Sequence, residues 1–232
     1  MTAAPELSVI VPVYNEKATV RRIVALIESV PVKKEIIIVD DGSADGTTEL
    51  IRKEFSGRPG FVTLFHERNR GKGSAIRTGI QHAAGQALII QDADLEYDPK
   101  DYLELLKPFR EGRASVVYGS RFLGRKKVTS SWHRFVNYFL TSFTNLLYGS
   151  HLTDMETCYK LFKTHALGRL DLRSTGFEIE VELTAKTLKA GENILEVPIS
   201  YKGRSFHEGK KIGWLDGFKA LSALVRYRFF SR

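Results

Sequence analysis

The chain has 232 residues, 43% of them hydrophobic and 27% charged, with a formal net charge of +8. Such a composition suits a globular protein and excludes disordered and fibrous classes, while the single cysteine, Cys158, excludes an internal disulfide and a cysteine-built zinc site. The N-terminus, "MTAAPELSVIVPVYNE", has no basic leader ahead of a long apolar run, and no stretch is apolar for long enough to cross a bilayer, so the expectation is a soluble or peripheral protein of a reducing compartment.

In chain order, "LSVIVPV" (7–13) is a β-rich apolar run, and 17–30 then repeats apolar residues at helical spacing. "EIIIVD" (35–40) reads as a second buried strand, "SADGTTELIRKEF" (43–55) as a helix after turn residues, and "FVTLFH" (61–66) as a third strand. A helix over 73–84 and a strand "QALIIQ" (86–91) follow. Asp98-Pro99 reads as an N-cap with proline at the first helical position, opening "KDYLELLKPF", and "ASVVYG" (114–119) is a fifth strand. Strands alternating with helices at this spacing predict an α/β fold, a mostly parallel sheet flanked by helices on both faces. After Gly119 the regularity breaks. Residues 130–149 form an aromatic-rich helix candidate, "CYKLF" and "NILEVPISY" add strands around a helix over 177–190, and the chain ends in "WLDGFKALSALVRYRFFSR". No repeat or linker divides it, so one domain over 1–232 is expected, with about 205–232 as a basic amphipathic tail.

Charge is unevenly placed. Residues 119–153 hold five Lys/Arg and no acid, and 202–232 hold eight against Glu208 and Asp216, which leaves the remainder of the chain at −3. A partner with phosphates is implied: nucleic acid, anionic lipid or a phosphorylated small molecule.

Ligands of open α/β sheets bind beyond the carboxyl ends of the strands, where "VPVYNE", "VDDGSADGT" and "QDADLEY" fall. Asp92, Asp94 and Glu96 alternate there, so in an extended segment all three project to one side. A hard divalent cation offsets such repulsion, and magnesium commonly takes one or two carboxylates together with substrate phosphates. "NRGKGSAIRTG" suggests a phosphate loop but is not one, because Gly73 follows Lys72 and Ile76 stands where a dinucleotide loop needs its third glycine. H-E-x-x-H and G-x-S-x-G are absent.

In their order and spacing, "SVIVPVYNE", "IIIVDDGSADGT", "NRGKGSAIRTG", "QDADLEYDP" and "VYGSRF" resemble a family 2 glycosyltransferase of GT-A (Rossmann-like) fold. "FEIEVEL", "VPISYKGRSFHEGKK" and the basic tail resemble the branch of dolichol-phosphate mannose synthases, so that the likeness runs from about Leu7 to Phe218. What the resemblance implies is inverting transfer of a hexose, mannose from GDP-mannose first and glucose from UDP-glucose as the alternative, to a polyprenyl phosphate. It implies Mg²⁺ or Mn²⁺ held by Asp92, Asp94 and Glu96, with Asp94 the principal ligand. Pro12, Tyr14, Glu16, Val39, Asp41, Asp92 and Ala93 then bind the donor, while Arg121, Arg204 and Lys210 face its diphosphate. Arg121 and Arg134 are the acceptor-binding candidates. The segment around Arg204 and Lys210, bracketed by Gly203 and Gly209, is expected to close over the donor.

A phosphate nucleophile is already ionised near neutral pH and needs no general base. A saccharide hydroxyl acceptor would need one, and Asp154 stands where such relatives place it. A nucleic-acid-binding module would account for the charge but not for the acidic motifs, so no nucleic-acid partner is expected. A lipid acceptor requires contact with an anionic membrane surface, placing the enzyme on its cytoplasmic face. Phe135, Phe139, Phe143 and Leu146 read equally as core or as membrane interface. The C-terminal stripe of Trp214, Phe218, Leu221, Leu224 and Val225, flanked by Lys219, Arg226 and Arg228, reads as the membrane-facing one.

Overall fold

A computed structural model describes residues 4–124, 131–203 and 214–230. Its seven-stranded sheet has the order β3-β2-β1-β4-β6-β5-β7. The strands are β1 (Leu7–Val13), β2 (Lys34–Asp40), β3 (Phe61–Phe65), β4 (Ala87–Ile90), β5 (Val116–Ser120), β6 (Lys160–Lys163) and β7 (Ile194–Pro198). All run the same way except β6, which lies antiparallel between β4 and β5. The helices are α1 (Val20–Ser29), α2 (Thr47–Glu54), α3 (Lys72–Ile80), α4 (Tyr102–Arg110), α5 (Ser131–Tyr148), α6 (Thr164–Leu167), α7 (Ile179–Lys189) and α8 (Trp214–Phe229). Asp98 caps the turn before α4, its carboxylate accepting from Lys100 N.

Strand alternation divides the core. Leu7, Val9, Val11 and Val13 face the layer of α1 and α4, with Ile36 and Ile38 beside them. Ile10, Ile37 and Val39 face the opposite layer, where α3 and α7 pack. The chain winds from β1 through β2 to β3, then crosses back to place β4 on the other flank of β1. That reversal is the crevice where doubly wound sheets bind ligands. The free ends of β1, β2, β4 and β5 meet there, joined by the start of antiparallel β6.

A third cluster lies between α5, α7 and α8, and it corrects the reading of the C-terminal stripe. Leu224 has no exposed surface, and Ala220, Ala223 and Tyr227 are buried beside it. The two alanines let α8 approach its neighbours closely, so this part of the stripe is core. Trp214 and Phe218 fall outside the side chains described. On α5, by contrast, Phe135, Phe139 and Leu146 stay 60%, 51% and 81% exposed.

Candidate functional site

The loops after β1 and β2 are stitched together. Asn15 adopts a left-handed conformation (φ 54°), accepting from Ala44 N at 2.9 Å and donating its own N–H to Ser43 Oγ at 2.9 Å. Glu16 N donates to Thr47 Oγ1 at 3.1 Å. Tyr14 stands 37% exposed at the mouth of this loop, and Pro12 is aligned with Val39 on the neighbouring strand. The Val39 side chain is fully buried, so only its backbone can meet a ligand.

Asp41 is turned inward and only 3% exposed. Its carboxylate accepts from Gly71 N at 2.7 Å and Arg70 N at 3.0 Å, with His66 Nδ1 at 2.5 Å. Its role in the structure is to anchor the "NRGKG" loop. Gly42 makes this possible: it has φ +73°, and a Cβ there would lie 2.5 Å from the Arg68 backbone.

At the end of β4, Gln91 Oε1 accepts from both Tyr102 and Tyr159 hydroxyls at 2.6 Å. The three acids that follow each meet a different partner. Asp92 pairs with Lys72 Nζ at 2.8 Å. Asp94 Oδ1 accepts from Glu96 N at 3.0 Å. Glu96 Oε2 accepts from the Tyr201 hydroxyl at 2.7 Å, and its carbonyl from Lys202 N at 2.8 Å. Leu95, between Asp94 and Glu96, has φ +66°, an uncommon conformation for a branched residue that costs about 1–3 kcal/mol and clusters at functional sites. Among the described residues no group of three His, Cys, Asp or Glu side chains converges as a metal cage. The arrangement nevertheless fits a hard divalent cation, since oxygen donors from one or two carboxylates suffice when phosphates supply the rest. Ala93, between the two aspartates, is 3% exposed.

Lys72 was not among the residues expected at the site. Its ammonium also lies 3.2 Å from Glu180 Oε1 and 3.3 Å from Cys158 Sγ. Burial alone would lower its pKa, but the carboxylates of Asp92 and Glu180 outweigh that and hold it well above the ordinary lysine value. Burial, reinforced by Asp92, pushes the Cys158 thiol up, so it is a neutral thiol beside this pair. Lys160, fully buried, donates to Glu180 Oε2 at 2.6 Å. Glu156 leaves one buried carboxyl oxygen without a partner, and burial raises its pKa.

Beyond β5, Arg121 and Asp154 form a bidentate pair, Nε–Oδ2 and Nη2–Oδ1 both 2.7 Å. Arg121 N adds a bond to Oδ2 at 3.0 Å, and Asn137 of α5 donates to Oδ1 at 2.9 Å. Burial opposes the charge on Arg121, and Asp154 more than restores it, holding the guanidinium above its usual value. Asp154 has no exposed surface, so the aspartate expected to serve a hydroxyl acceptor as base is committed to orienting Arg121. Arg121 lies 5.1 Å from the Tyr201 ring centroid, which brings it beside the acid cluster. Arg134 is exposed one helical turn before Asn137. Arg204 and Lys210 lie outside the described residues.

Strand-end carboxylates, an exposed tyrosine and buried cations thus gather on one crevice of the sheet. Residues 8–170 match the family model described as Glycosyl transferase family 2, so the chain belongs to that family and is a glycosyltransferase. It is similar to the undecaprenyl-phosphate mannosyltransferase of Micrococcus luteus, 26% identical over 96% of this chain and 94% of that one. The dolichol-phosphate mannosyltransferase of Mycosarcoma maydis is 31% identical over 98% of this chain and 81% of that one. Among solved structures, the fold matches glucosyl-3-phosphoglycerate synthase from Mycobacterium tuberculosis in complex with Mn²⁺, UDP and glucosyl-3-phosphoglycerate. There the TM-score is 0.73 at 18% identity, covering 97% of this chain and 80% of that one.

Proposed function

We propose that this glycosyltransferase moves a hexose from a sugar nucleotide to the phosphate oxygen of a polyprenyl phosphate, inverting the anomeric carbon. Mannose from GDP-mannose is the donor in first place, as the names of the similar mannosyltransferases suggest. The observation that carries the choice of acceptor is the locked Asp154–Arg121 pair. A hydroxyl nucleophile needs a base to take its proton, whereas a phosphate is ionised and needs a positive charge to hold it. Arg121, fixed on two sides, offers such a charge, and Arg134 stands exposed close by on α5.

The donor base lies against Pro12, Tyr14 and Glu16, and its diphosphate beyond β4. Asp94 with Asp92 would hold Mg²⁺ or Mn²⁺, which compensates the charge gathering on the leaving diphosphate. Lys72 keeps the Asp92 carboxylate in place. Arg121, and by resemblance Arg204 and Lys210, add positive charge where the leaving group becomes more negative. Working at a membrane's cytoplasmic face follows from the lipid acceptor.

The test is a donor panel. Purified protein with Mg²⁺, a short polyprenyl phosphate and either GDP-mannose or UDP-glucose is analysed for lipid products by mass spectrometry. Hexosyl lipid phosphate from GDP-mannose is expected. Faster product formation from UDP-glucose would move the donor assignment, and no lipid product from any sugar nucleotide would refute the proposal.

A further inference from the structure

Beyond β7 the chain does not leave the crevice but runs into it. Ile199 N donates to Ser120 O at 3.2 Å, and its side chain fills the space over Gly119, where a Cβ would lie 2.6 Å from Ile199 Cγ2. Ser200 N then donates to Asp101 Oδ2 at 2.7 Å. These contacts deliver Tyr201 to the acid cluster. There it pairs with Tyr97 as an antiparallel bridge, and Lys202 N donates to Glu96 O at 2.8 Å. Tyr201 is 9% exposed and touches three groups of the site. Its hydroxyl donates to Glu96 Oε2 at 2.7 Å. Its ring meets Tyr97 edge-on, with centroids 5.1 Å apart and planes at 62°. The same ring has the Arg121 guanidinium 5.1 Å from its centroid.

A glutamate side chain is long and flexible, so holding it still for a cation carries an entropic cost. The fold does this ordering itself. Asp94 Oδ1 accepts from Glu96 N, Lys202 N holds the Glu96 carbonyl, and Tyr201 holds its carboxylate. A phenol at neutral pH is a donor, and an ionised carboxylate offers about four acceptor positions, so one hydrogen bond fixes the group without using it up. Partners placed in this way behind a metal ligand govern its affinity. An aromatic ring, for its part, attracts a guanidinium without adding a second counter-charge, so Arg121 keeps its charge for an anion.

We propose that Tyr201 is a positioning residue shared by the two halves of the reaction: its hydroxyl aims Glu96 at the divalent cation, and its ring steadies Arg121 for the acceptor phosphate. The inference rests on the metal and acceptor readings above and adds to them a residue that acts through its neighbours. Glu96 and Arg121 stand on opposite sides of the reacting centre, one toward the leaving diphosphate and one toward the nucleophile. A single side chain that touches both keeps their separation fixed, and positioning of that kind is what a displacement between two bound groups requires.

The experiment titrates Mn²⁺ into the full chain by calorimetry in the presence of GDP, with UDP in a parallel set. Wild type is compared with Tyr201→Phe, Glu96→Ala and the double variant. Tyr201→Phe keeps the ring, so its melting temperature should stay within about 4 °C of wild type. Mn²⁺ is expected to bind it about 10–100-fold more weakly, with metal-free nucleotide binding unchanged. In the Glu96→Ala background the same substitution should leave Mn²⁺ affinity unmoved, because it acts through Glu96. In transfer assays at saturating Mn²⁺, Tyr201→Phe should keep the acceptor KM, and Tyr201→Leu, which removes the ring, should raise it about 3–10-fold. Equal Mn²⁺ affinity in wild type and Tyr201→Phe would overturn the proposal, as would tighter binding by the variant, since the hydroxyl would then compete with the cation. An undiminished loss in the Glu96→Ala background would also overturn it, being the mark of a general loosening. An acceptor KM unmoved by Tyr201→Leu would overturn the part played by the ring. Wild type that bound no Mn²⁺ with either nucleotide would remove the metal reading itself, whereas wild-type binding with an unaffected variant removes the role of Tyr201 alone.

Discussion

Removing the charge of Asp154 tests how Arg121 is held. Asp154→Asn exchanges one carboxylate oxygen for an amide donor, in a pocket where Arg121 N, Nε and Nη2 and Asn137 Nδ2 all donate toward it. The side chains are 12% and 0% exposed, so the guanidinium is left charged with little water to replace its partner. Breaking a buried pair from one side costs about 3–5 kcal/mol. In a chain of this size that lowers the melting temperature by about 6–20 °C. Arg121→Met should cost a similar amount by stranding the carboxylate. The double variant removes both charges, so its loss should fall about 3 kcal/mol short of the sum of the singles. Urea unfolding followed by circular dichroism at pH 7 supplies all the corners of the cycle. Additivity within about 0.5 kcal/mol would refute the argument that each residue exists to hold the other. In kinetics, Asp154→Asn should raise the KM for acceptor alongside any fall in kcat. A drop in kcat of about 10²–10⁴-fold at unchanged acceptor KM would instead identify a general base.

Asp94→Asn should abolish transfer and weaken Mn²⁺ binding measured by calorimetry in the presence of nucleotide; full activity of this variant in EDTA would contradict a metal role. Asp101, which accepts from Ser200 N at 2.7 Å, has its pKa raised by burial to about 6. Between the ordinary aspartate value near 3.8 and about 6 the folded chain keeps a proton that the unfolded chain has released, so this group's contribution falls as pH rises through that window. Discounted for partial exposure, Asp101→Asn should therefore gain about 1 kcal/mol at pH 8 and nothing at pH 3, read from urea midpoints; equal effects at both pH values would contradict the shift. Arg204→Ala should lower kcat more than donor affinity, and tryptic cleavage near Lys210 should fall when nucleotide and Mn²⁺ are added together; an active variant with unchanged cleavage would end the idea of a closing segment.

The first five strands were legible because each is an apolar run bounded by turn residues, and "IIIVDD" and "IIQDAD" mark the strand ends where the site forms. The antiparallel direction of β6 was not legible, since alternation of side chains reads the same from either end of a strand. The two aromatic stripes were recognised, but for α8 the helical period could not decide between core and surface. That decision lay with Ala220 and Ala223, whose small size matters only once α5 and α7 are in place. The acids of the site were visible as a motif, whereas their partners were not. Lys72 reaches Asp92 across 20 residues and Arg121 reaches Asp154 across 33, and no local pattern records either pairing. Lys72 was visible only as part of a loop that failed to be a nucleotide-binding loop.

The central claim is that the nucleophile is a phosphate oxygen. The most direct measurement offers the enzyme one sugar nucleotide with three acceptors at equal concentration: a short prenyl phosphate, the corresponding prenol and a soluble oligosaccharide. Products are then resolved by tandem mass spectrometry. The account predicts a hexosyl prenyl phosphodiester, with the prenol and the oligosaccharide returned unchanged. A hexose found on either hydroxyl acceptor, with the prenyl phosphate untouched, would contradict it.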